Sequence, residues 1–156
     1  MEPKELAETI ARIADDKQAR DIEIFDLRGL CDITDFFVIC TGGNARHVDS
    51  VVDEVENVLR PQGERAFAVE GRPDCEWLLM DFGQVVVHVF QPDARAYYRL
   101  ERMWGDAPRA DMDEDGALTW HPGRIKAASP AEGSGEAPAP EVPVEAVDGL
   151  IAESDE

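Results

Sequence analysis

A glycine pair followed by asparagine, Gly42-Gly43-Asn44, stands where an apolar strand would give way to a helix. Free backbone N–H groups at such a turn can hold a phosphate group. The residues nevertheless lack the glycine spacing of a dinucleotide-binding turn and the lysine of a phosphate-binding loop. A tight turn in which Asn44 caps the following helix explains them without a ligand. We therefore favour a structural turn, with phosphate binding as the alternative.

Carboxylates that could bind a catalytic metal ion are poorly placed. A nucleotidyl transferase would suit a small mixed sheet with such a turn, but its chemistry needs two or three carboxylates around a divalent metal. These usually alternate on the strand after the helix, and here that strand, Ala66 to Val69, contains no acidic residue. Asp21 and Glu23 precede the turn instead. We expect a related scaffold without the catalytic centre.

Histidine and cysteine spacing gives no further site. His47, His88 and His121 are scattered, no pair has the i, i+4 spacing of metal ligands on a helix, and His47 is expected to be solvated. No Ser-His-Asp or Cys-His arrangement is recognisable. The three cysteines lack C-x-x-C spacing and predict no disulfide framework. The expectation is a protein with no catalytic residue, metal or cofactor, and not an enzyme.

The chain is strongly acidic, with a formal charge of −19 over 156 residues. Residues 1–104 contain 21 Asp and Glu against 12 Lys and Arg, and residues 105–156 contain 13 against 3. Binding to a phosphate backbone needs Lys and Arg to replace counterions, so we expect little direct nucleic-acid contact. A positively charged protein partner fits the charge better, and solubility alone is the alternative.

The chain carries no recognisable targeting segment. The first ten residues, MEPKELAETI, include acidic residues and no apolar core of a signal peptide. No apolar run approaches the roughly 18 residues that a membrane-spanning helix requires. We expect a soluble, cytoplasmic protein without a membrane contact.

Hydrophobic periodicity predicts the elements that would position any site. Residues 3–18 and the stretch after Asn44 show helical spacing, whereas 21–27 alternates and 36–40 is continuously apolar. A short strand at 66–69, a hairpin of 77–82 with 85–90 and a helix from Pro92 to Trp104 complete the order α-β-β-α-β-β-β-α. The prediction is an α/β (α+β) fold, a small mixed five-stranded sheet with three helices. The crossover helix should make part of the sheet parallel.

The chain changes character after Trp104. Residues 105–156 include an acidic run at 111–115 and a stretch rich in Pro, Ala, Gly and Glu at 129–143. Such composition cannot bury enough apolar surface to offset the entropy of ordering. We therefore predict a globular domain at 1–104 and a disordered acidic tail at 105–156.

Two neighbouring strands place apolar and polar side chains on one face. Trp77, Leu79 and Asp81 alternate along one strand and His88 lies on the next, so these residues are expected to share the wetter face of the sheet. Trp77 and Leu79 would then be exposed apolar anchors of an interface. Packing of Trp77 beneath a helix is the alternative. On the last helix, spacing favours Tyr97 for the core and Tyr98 for the interface.

The combined pattern resembles the family of ribosomal silencing factors, RsfS, also called Iojap. The resemblance lies in DIEIFDLRGLCDITDFFVICTGGNARHV at 21–48, the Glu70-Gly71 pair, and WLLMDFGQVVVHVFQPDARAYYRLERMW at 77–104. It spans residues 3–104 and leaves the acidic tail unmatched. Gln84 stands where the family commonly has an acidic residue, and Met103 where it has leucine.

The resemblance implies a nucleotidyltransferase-like fold without the active site, and a homodimer when the protein is free. It also implies binding to ribosomal protein uL14 on the large ribosomal subunit, which blocks association with the small subunit and represses translation when nutrients are short. We expect the contact at Trp77, Leu79, Asp81, His88 and Tyr98, with Glu101 and Glu70 as electrostatic support. A metal-dependent nucleotidyltransferase-like enzyme and an adaptor acting through its acidic tail are the alternatives.

Overall fold

The computed structural model of the protein describes residues 1–123. The helices are α1 (Pro3–Asp16), α2 (Ala45–Leu59) and α3 (Pro92–Tyr98), with short 3₁₀ segments at Arg60–Gln62 and Leu100–Trp104. The strands are β1 (Arg20–Asp26), β2 (Phe36–Thr41), β3 (Ala68–Glu70), β4 (Trp77–Asp81), β5 (Val85–Phe90), β6 (Arg109–Met112) and β7 (Leu118–His121). The three helices and the first five strands follow the predicted order.

The strands of the described residues, 1–123, join one mixed sheet in the order β3-β4-β5-β2-β1-β6-β7. Strands β2 and β5 are parallel, from Phe36 opposite Val85 to Thr41 opposite Phe90, and every other neighbouring pair is antiparallel. The parallel pair follows from the crossover, because α2 returns the chain to the end of the sheet where β2 began. The predicted mixed α/β fold is confirmed.

Within residues 1–123 the sheet has seven strands, where the sequence predicted five. Strand β6 pairs with the outer edge of β1, with Ile24 opposite Ala110, and β7 pairs with β6 in turn. The expectation of disorder from residue 105 is therefore wrong for 109–121, and the fold continues past the predicted boundary at 104. An unpaired β1 edge would expose a row of backbone groups, which β6 satisfies. The remainder of the predicted tail, 124–156, lies outside the described residues.

The main core lies between the sheet and two helices. Helices α1 and α2 both pack on one face of the sheet. Five apolar side chains of α2 are buried against the sheet: Val48, Val51, Val52, Val55 and Leu59. Each of these side chains contributes roughly 1.5–3 kcal/mol relative to an exposed position. This core holds the sheet rigid and leaves its other face to a thinner layer.

The opposite face of the sheet carries a second, smaller core. Its buried residues come from strands, α3 and the loops beside them: Phe25, Leu27, Ile39, Trp77, Phe90, Ala94, Leu100 and Ala107. Helix α3 has only seven residues, so it covers one end of this face. Side chains at its margin, such as Phe37 and Trp104, are only half-buried.

The last helix breaks where the sequence predicted continuity to Trp104. Arg99 adopts a left-handed conformation with φ 49°, which ends α3 and starts the 3₁₀ segment. Because the helix ends here, the helical spacing that would place Tyr97 and Leu100 on the same face is lost. Leu100 is buried, whereas Tyr97 is 79% exposed. The prediction that Tyr97 belongs to the core is wrong for this reason. Tyr98 is 40% exposed and retains a surface position.

Candidate interaction surface

The turn at Gly42-Gly43-Asn44 is satisfied by protein atoms. The Asn44 side chain accepts a hydrogen bond from the His47 backbone N–H at 2.9 Å, as an N-cap does. The Gly43 N–H donates to Nδ1 of His47 at 2.9 Å, and Nε2 of His47 lies 2.7 Å from the Lys17 carbonyl oxygen. His47 is therefore half-buried and connects two helices, so the expectation that it is simply solvated is wrong. This arrangement favours the structural turn over a phosphate site.

The predicted contact residues of the central strands do share one face. Glu70, Leu79 and His88 lie directly opposite one another across β3, β4 and β5, and Trp77 lies opposite Phe90. Residues paired in this way point to the same side of a sheet. Asp81 lies two residues after Leu79 and points with it. The face is the one left free by α1 and α2.

Burial on that face differs from the expectation. Trp77 is 5% exposed, and Leu79 and His88 are fully covered as well. The prediction that Trp77 and Leu79 are exposed anchors is wrong, because helix α3 and the neighbouring aromatic rings lie over them. The ring of Trp77 lies 4.7 Å from that of Tyr98 and 4.9 Å from that of Phe90. The alternative, in which Trp77 packs beneath a helix, is confirmed.

His88 is held as a neutral side chain inside this layer. The indole Nε1–H of Trp77 donates to its Nδ1 at 3.0 Å, so the ring proton resides on Nε2. Nε2 itself is buried with no hydrogen-bond partner among residues 1–123. Burial lowers the pKa of His88 to about 3. His88 therefore supports the surface from below rather than forming part of it.

Ring contacts join these side chains into one aromatic ridge, which we define as Tyr97, Tyr98, Trp77, His88, Phe37 and Trp104. Tyr98 contacts both Tyr97 and Trp77, and Phe37 contacts both His88 and Trp104. The middle of the ridge is buried and both ends reach solvent. Aromatic groups held rigidly by packing suit a binding surface, because little side-chain entropy is lost when a partner covers them.

The three acidic residues of the predicted contact occupy different environments. Asp81 is half-buried, and its Oδ1 accepts a hydrogen bond from the Gly83 N–H at 2.7 Å, which shapes the β4–β5 turn. Glu101 is half-buried and lies 3.5 Å from Nε of Arg95. Glu70 is buried at the β3 edge beside Leu79. Only Asp81 and Glu101 are thus partly open to a partner.

The glycine after Glu70 allows a close approach of two chain segments. Gly71 has φ +99°, and a Cβ there would collide with the Trp77 carbonyl oxygen. The Gly71→Ala variant is therefore expected to lose about 2 kcal/mol of unfolding free energy or more, measured by urea denaturation.

Gly63 provides the matched control for that measurement. It also has positive φ, +86°, but nothing lies within 4 Å of its Cβ position. Gly63→Ala should cost about 1 kcal/mol, from backbone strain alone. Equal losses in the two variants would contradict the role of the close approach at Trp77.

The side chain of Arg95 extends from α3 into the interior of the protein. Its guanidinium is buried and donates to the Asp21 carbonyl oxygen at 2.6 Å, to Thr41 Oγ1 at 3.0 Å and to Glu23 at 2.9 Å. Burial raises the pKa of Glu23, while the positive charges of Arg95 and Arg109 act in the opposite direction. Arg95 therefore links α3 to β1 and β2.

Neither a metal cluster nor a membrane-spanning helix is found in residues 1–123. Within residues 1–123, no group of three His, Cys, Asp or Glu side chains is placed to hold a metal ion. Over the same range, none of the helices is both long and apolar enough to span a membrane. The aromatic ridge with its acidic margin remains as the candidate interaction surface.

Comparisons with known proteins agree on one family. The family model described as "Ribosomal silencing factor during starvation", RsfS, matches residues 1–137. The chain is 40% identical over 113 residues to the ribosomal silencing factor RsfS of Bacillus subtilis, covering 72% of this chain and 96% of that protein.

Two more distant relatives extend the comparison. The mouse protein named "Mitochondrial assembly of ribosomal large subunit protein 1" is 32% identical over 91 residues, which cover 56% of this chain and 40% of that protein. A crystal structure of a Chromobacterium violaceum protein superimposes with a TM-score of 0.65 at 32% identity, covering 67% of this chain and 88% of that one. The fold is therefore shared with an experimentally determined structure.

Proposed function

This chain belongs to the RsfS family of ribosomal silencing factors, and on that premise we propose that it binds the large ribosomal subunit through ribosomal protein uL14 and sterically blocks association with the small subunit. Family membership makes it a ribosome-associated regulator of translation. The finer proposal is that its binding represses translation under nutrient limitation. The name of the mouse relative refers to the ribosomal large subunit, which supports the large rather than the small subunit as the proposed binding partner.

The aromatic ridge carries the structural part of the proposal. Tyr98 at one end, and Phe37 with Trp104 at the other, present aromatic surface on a face that α1 and α2 leave free. Trp77 and His88 hold these groups from below. We propose that the partner covers the exposed ends, while Trp77, Leu79 and His88 act as their buried support. Such anchors commonly dominate the free energy of binding.

Charge supports a basic protein as the partner. The chain carries a formal charge of −19, and Asp81 and Glu101 lie at the margin of the face with part of their surface exposed. Opposite charges steer association and raise the association rate more than the final affinity. We propose a cytoplasmic protein, dimeric when free, that acts by occupying space on the subunit rather than by catalysis.

Two alternatives have specific structural requirements. An enzyme of the nucleotidyl transferase class would need Asp21 and Glu23 free to bind a metal ion, yet Glu23 is engaged by Arg95 at 2.9 Å. An adaptor acting through its tail would lose function on truncation. Deletion from residue 105 would also remove β6 and β7, so the informative truncation removes residues 124–156 only. If that truncation still blocks subunit joining, the folded domain suffices.

Tyr98 gives the sharpest test of the contact. The Tyr98→Ala variant is expected to bind isolated large subunits about 30-fold more weakly, equivalent to about 2 kcal/mol, because an aromatic anchor is lost. Cosedimentation measures the affinity, and failure of large subunits to form complete ribosomes measures the activity. Tyr97→Ala removes the outer tyrosine of the ridge. Within residues 1–123 its ring contact is with Tyr98 rather than with the buried Trp77, so it is held less firmly and its loss should weaken binding less than fivefold.

The outcomes separate the function from the contact map. If the unaltered protein neither binds large subunits nor prevents joining, the proposed function is wrong. If it does both and Tyr98→Ala is folded but unimpaired, the function stands and the ridge is not the contact. Circular dichroism and thermal unfolding establish that the variant is folded.

A further inference from the structure

An open cavity of about 660 Å³ lies at one end of the sheet, away from the buried centre of the aromatic ridge. Thr41, the last residue of β2, and Pro92, just after β5, contribute to its wall. The cavity is therefore at the carboxyl ends of the two parallel strands. Open α/β sheets characteristically bind ligands at this position, and the volume is within the range of small-molecule sites.

Arginine side chains dominate the lining of the cavity. Arg20, Arg99 and Arg102 are exposed around it, and Arg95 lies buried in its wall. None of the three exposed guanidinium groups forms an ion pair with a carboxylate within residues 1–123. By contrast, Arg28 is bonded to Asp26 at 2.7 Å.

The carboxylates of the lining are largely neutralised by neighbours. Glu23 and Glu101 lie 2.9 Å and 3.5 Å from nitrogen atoms of Arg95, and Glu23 also lies 3.8 Å from Arg109. Among residues 1–123, no ion pair involves Asp21. The local charge is therefore positive, in a chain whose formal charge is −19.

We propose that this cavity binds a phosphate-bearing ligand, with Arg20, Arg99 and Arg102 holding the phosphate oxygens and Arg95 fixing the wall behind them. Several guanidinium groups around one cavity suit a group that carries several negative charges and many acceptor oxygens. The phosphates can belong to a nucleoside polyphosphate or to an RNA backbone. The site adjoins the contact proposed for the ribosomal protein, because Glu101 lines the cavity and also lies at the margin of that contact.

Calorimetric titration of the full-length protein tests the proposal. The probes are inorganic pyrophosphate, adenosine triphosphate and a ten-nucleotide uridine RNA, each with EDTA so that no metal bridges the phosphates. We expect saturable binding that weakens as salt increases. If adenosine triphosphate binds as tightly as the RNA, the ligand is a nucleoside polyphosphate. If the RNA binds at least tenfold more tightly than adenosine triphosphate, the ligand is an RNA backbone.

A matched pair of triple variants assigns the site. Arg20→Gln, Arg99→Gln and Arg102→Gln together should weaken the tighter probe at least tenfold. Arg12→Gln, Arg60→Gln and Arg65→Gln remove the same charge from exposed positions outside the lining and should change affinity less than twofold. All six arginines are exposed, so both variants are expected to fold.

Two results would overturn the proposal. One is the absence of binding by all three probes at millimolar concentration to the unaltered protein. The other is an equal loss of probe affinity in the two triple variants, which would mean that binding depends only on the net charge of the protein. Neither measurement involves ribosomes, so failure here is distinct from failure of the proposed silencing function.

Discussion

Lowering the pH from 7 to 3.5 is expected to reduce the free energy of unfolding by about 4 kcal/mol through His88 alone. In the unfolded chain this imidazole takes up a proton near its ordinary pKa of 6.5, whereas burial in the folded protein lowers the pKa to about 3. The unfolded state therefore binds more protons throughout that interval. The stabilisation is complete above pH 6.5 and is lost as the pH falls towards 3.

The variant His88→Asn isolates this effect. An asparagine side-chain oxygen can still accept the hydrogen bond from Trp77 Nε1, which Nδ1 of His88 accepts at 3.0 Å, but the side chain does not titrate. The variant should be less stable at pH 7, because the contact with the Phe37 ring is lost. Between pH 6 and 4, the unfolding free energy of the variant should decrease less steeply than that of the unaltered protein. The two slopes should differ by about 1.4 kcal/mol per pH unit.

His121→Asn serves as the control, because His121 is exposed on the edge strand β7. Urea denaturation at a series of pH values gives the slopes. Glu23 contributes in the opposite direction, since burial raises its pKa, and comparison of the variants cancels that contribution. Indistinguishable slopes for His88→Asn and the unaltered protein would contradict a buried neutral imidazole.

Replacing Trp77 by alanine is expected to cost about 3–5 kcal/mol of unfolding free energy. The indole is 5% exposed and contacts the rings of Phe90, Tyr98 and His88, so truncation leaves a cavity under α3. It also leaves Nδ1 of His88 without a donor. A domain of ordinary stability would be partly unfolded by this single change.

Phe67 is a suitable comparison, because it is also aromatic but is 80% exposed. Phe67→Ala should change the unfolding free energy by about 0.5 kcal/mol or less. Stability of Trp77→Ala within 1 kcal/mol of the unaltered protein would mean that Trp77 is not packed as described. Trp77→Ala can lose ribosome binding simply because it unfolds. Tyr98→Ala is expected to remain folded, so it is the variant that tests the contact itself.

The sequence predicts the elements well because their apolar periodicity is strong. The α2 stripe from Val48 to Leu59 and the continuous run at 36–40 have one reasonable interpretation each, and the crossover then requires the parallel pair. The alternation of Trp77, Leu79 and Asp81 correctly gives a shared face. It cannot tell what covers that face, because this depends on where α3 ends.

The predictions that were wrong have local structural causes, which the amino-acid composition does not show. No glycine marks the left-handed residue Arg99, so periodicity extends the helix and assigns Tyr97 to the core. Strand β6 lies in an acidic segment, and its pairing is decided by the open edge of β1, more than 80 residues earlier in the chain. The buried role of Arg95 depends on partners from β1 and β2, which no spacing within its own helix reveals.

The pairing of Ile24 with Ala110 affects folding during synthesis as well as the stability of the finished sheet. At about 5–20 residues per second, the chain between them takes roughly 4–17 s to synthesise. Throughout that interval β1 has no neighbour on its outer side, and an open strand edge readily pairs with other chains. The nascent protein is thus most prone to aggregation before β6 emerges from the ribosome, and closure of the sheet is among the last steps of its biogenesis.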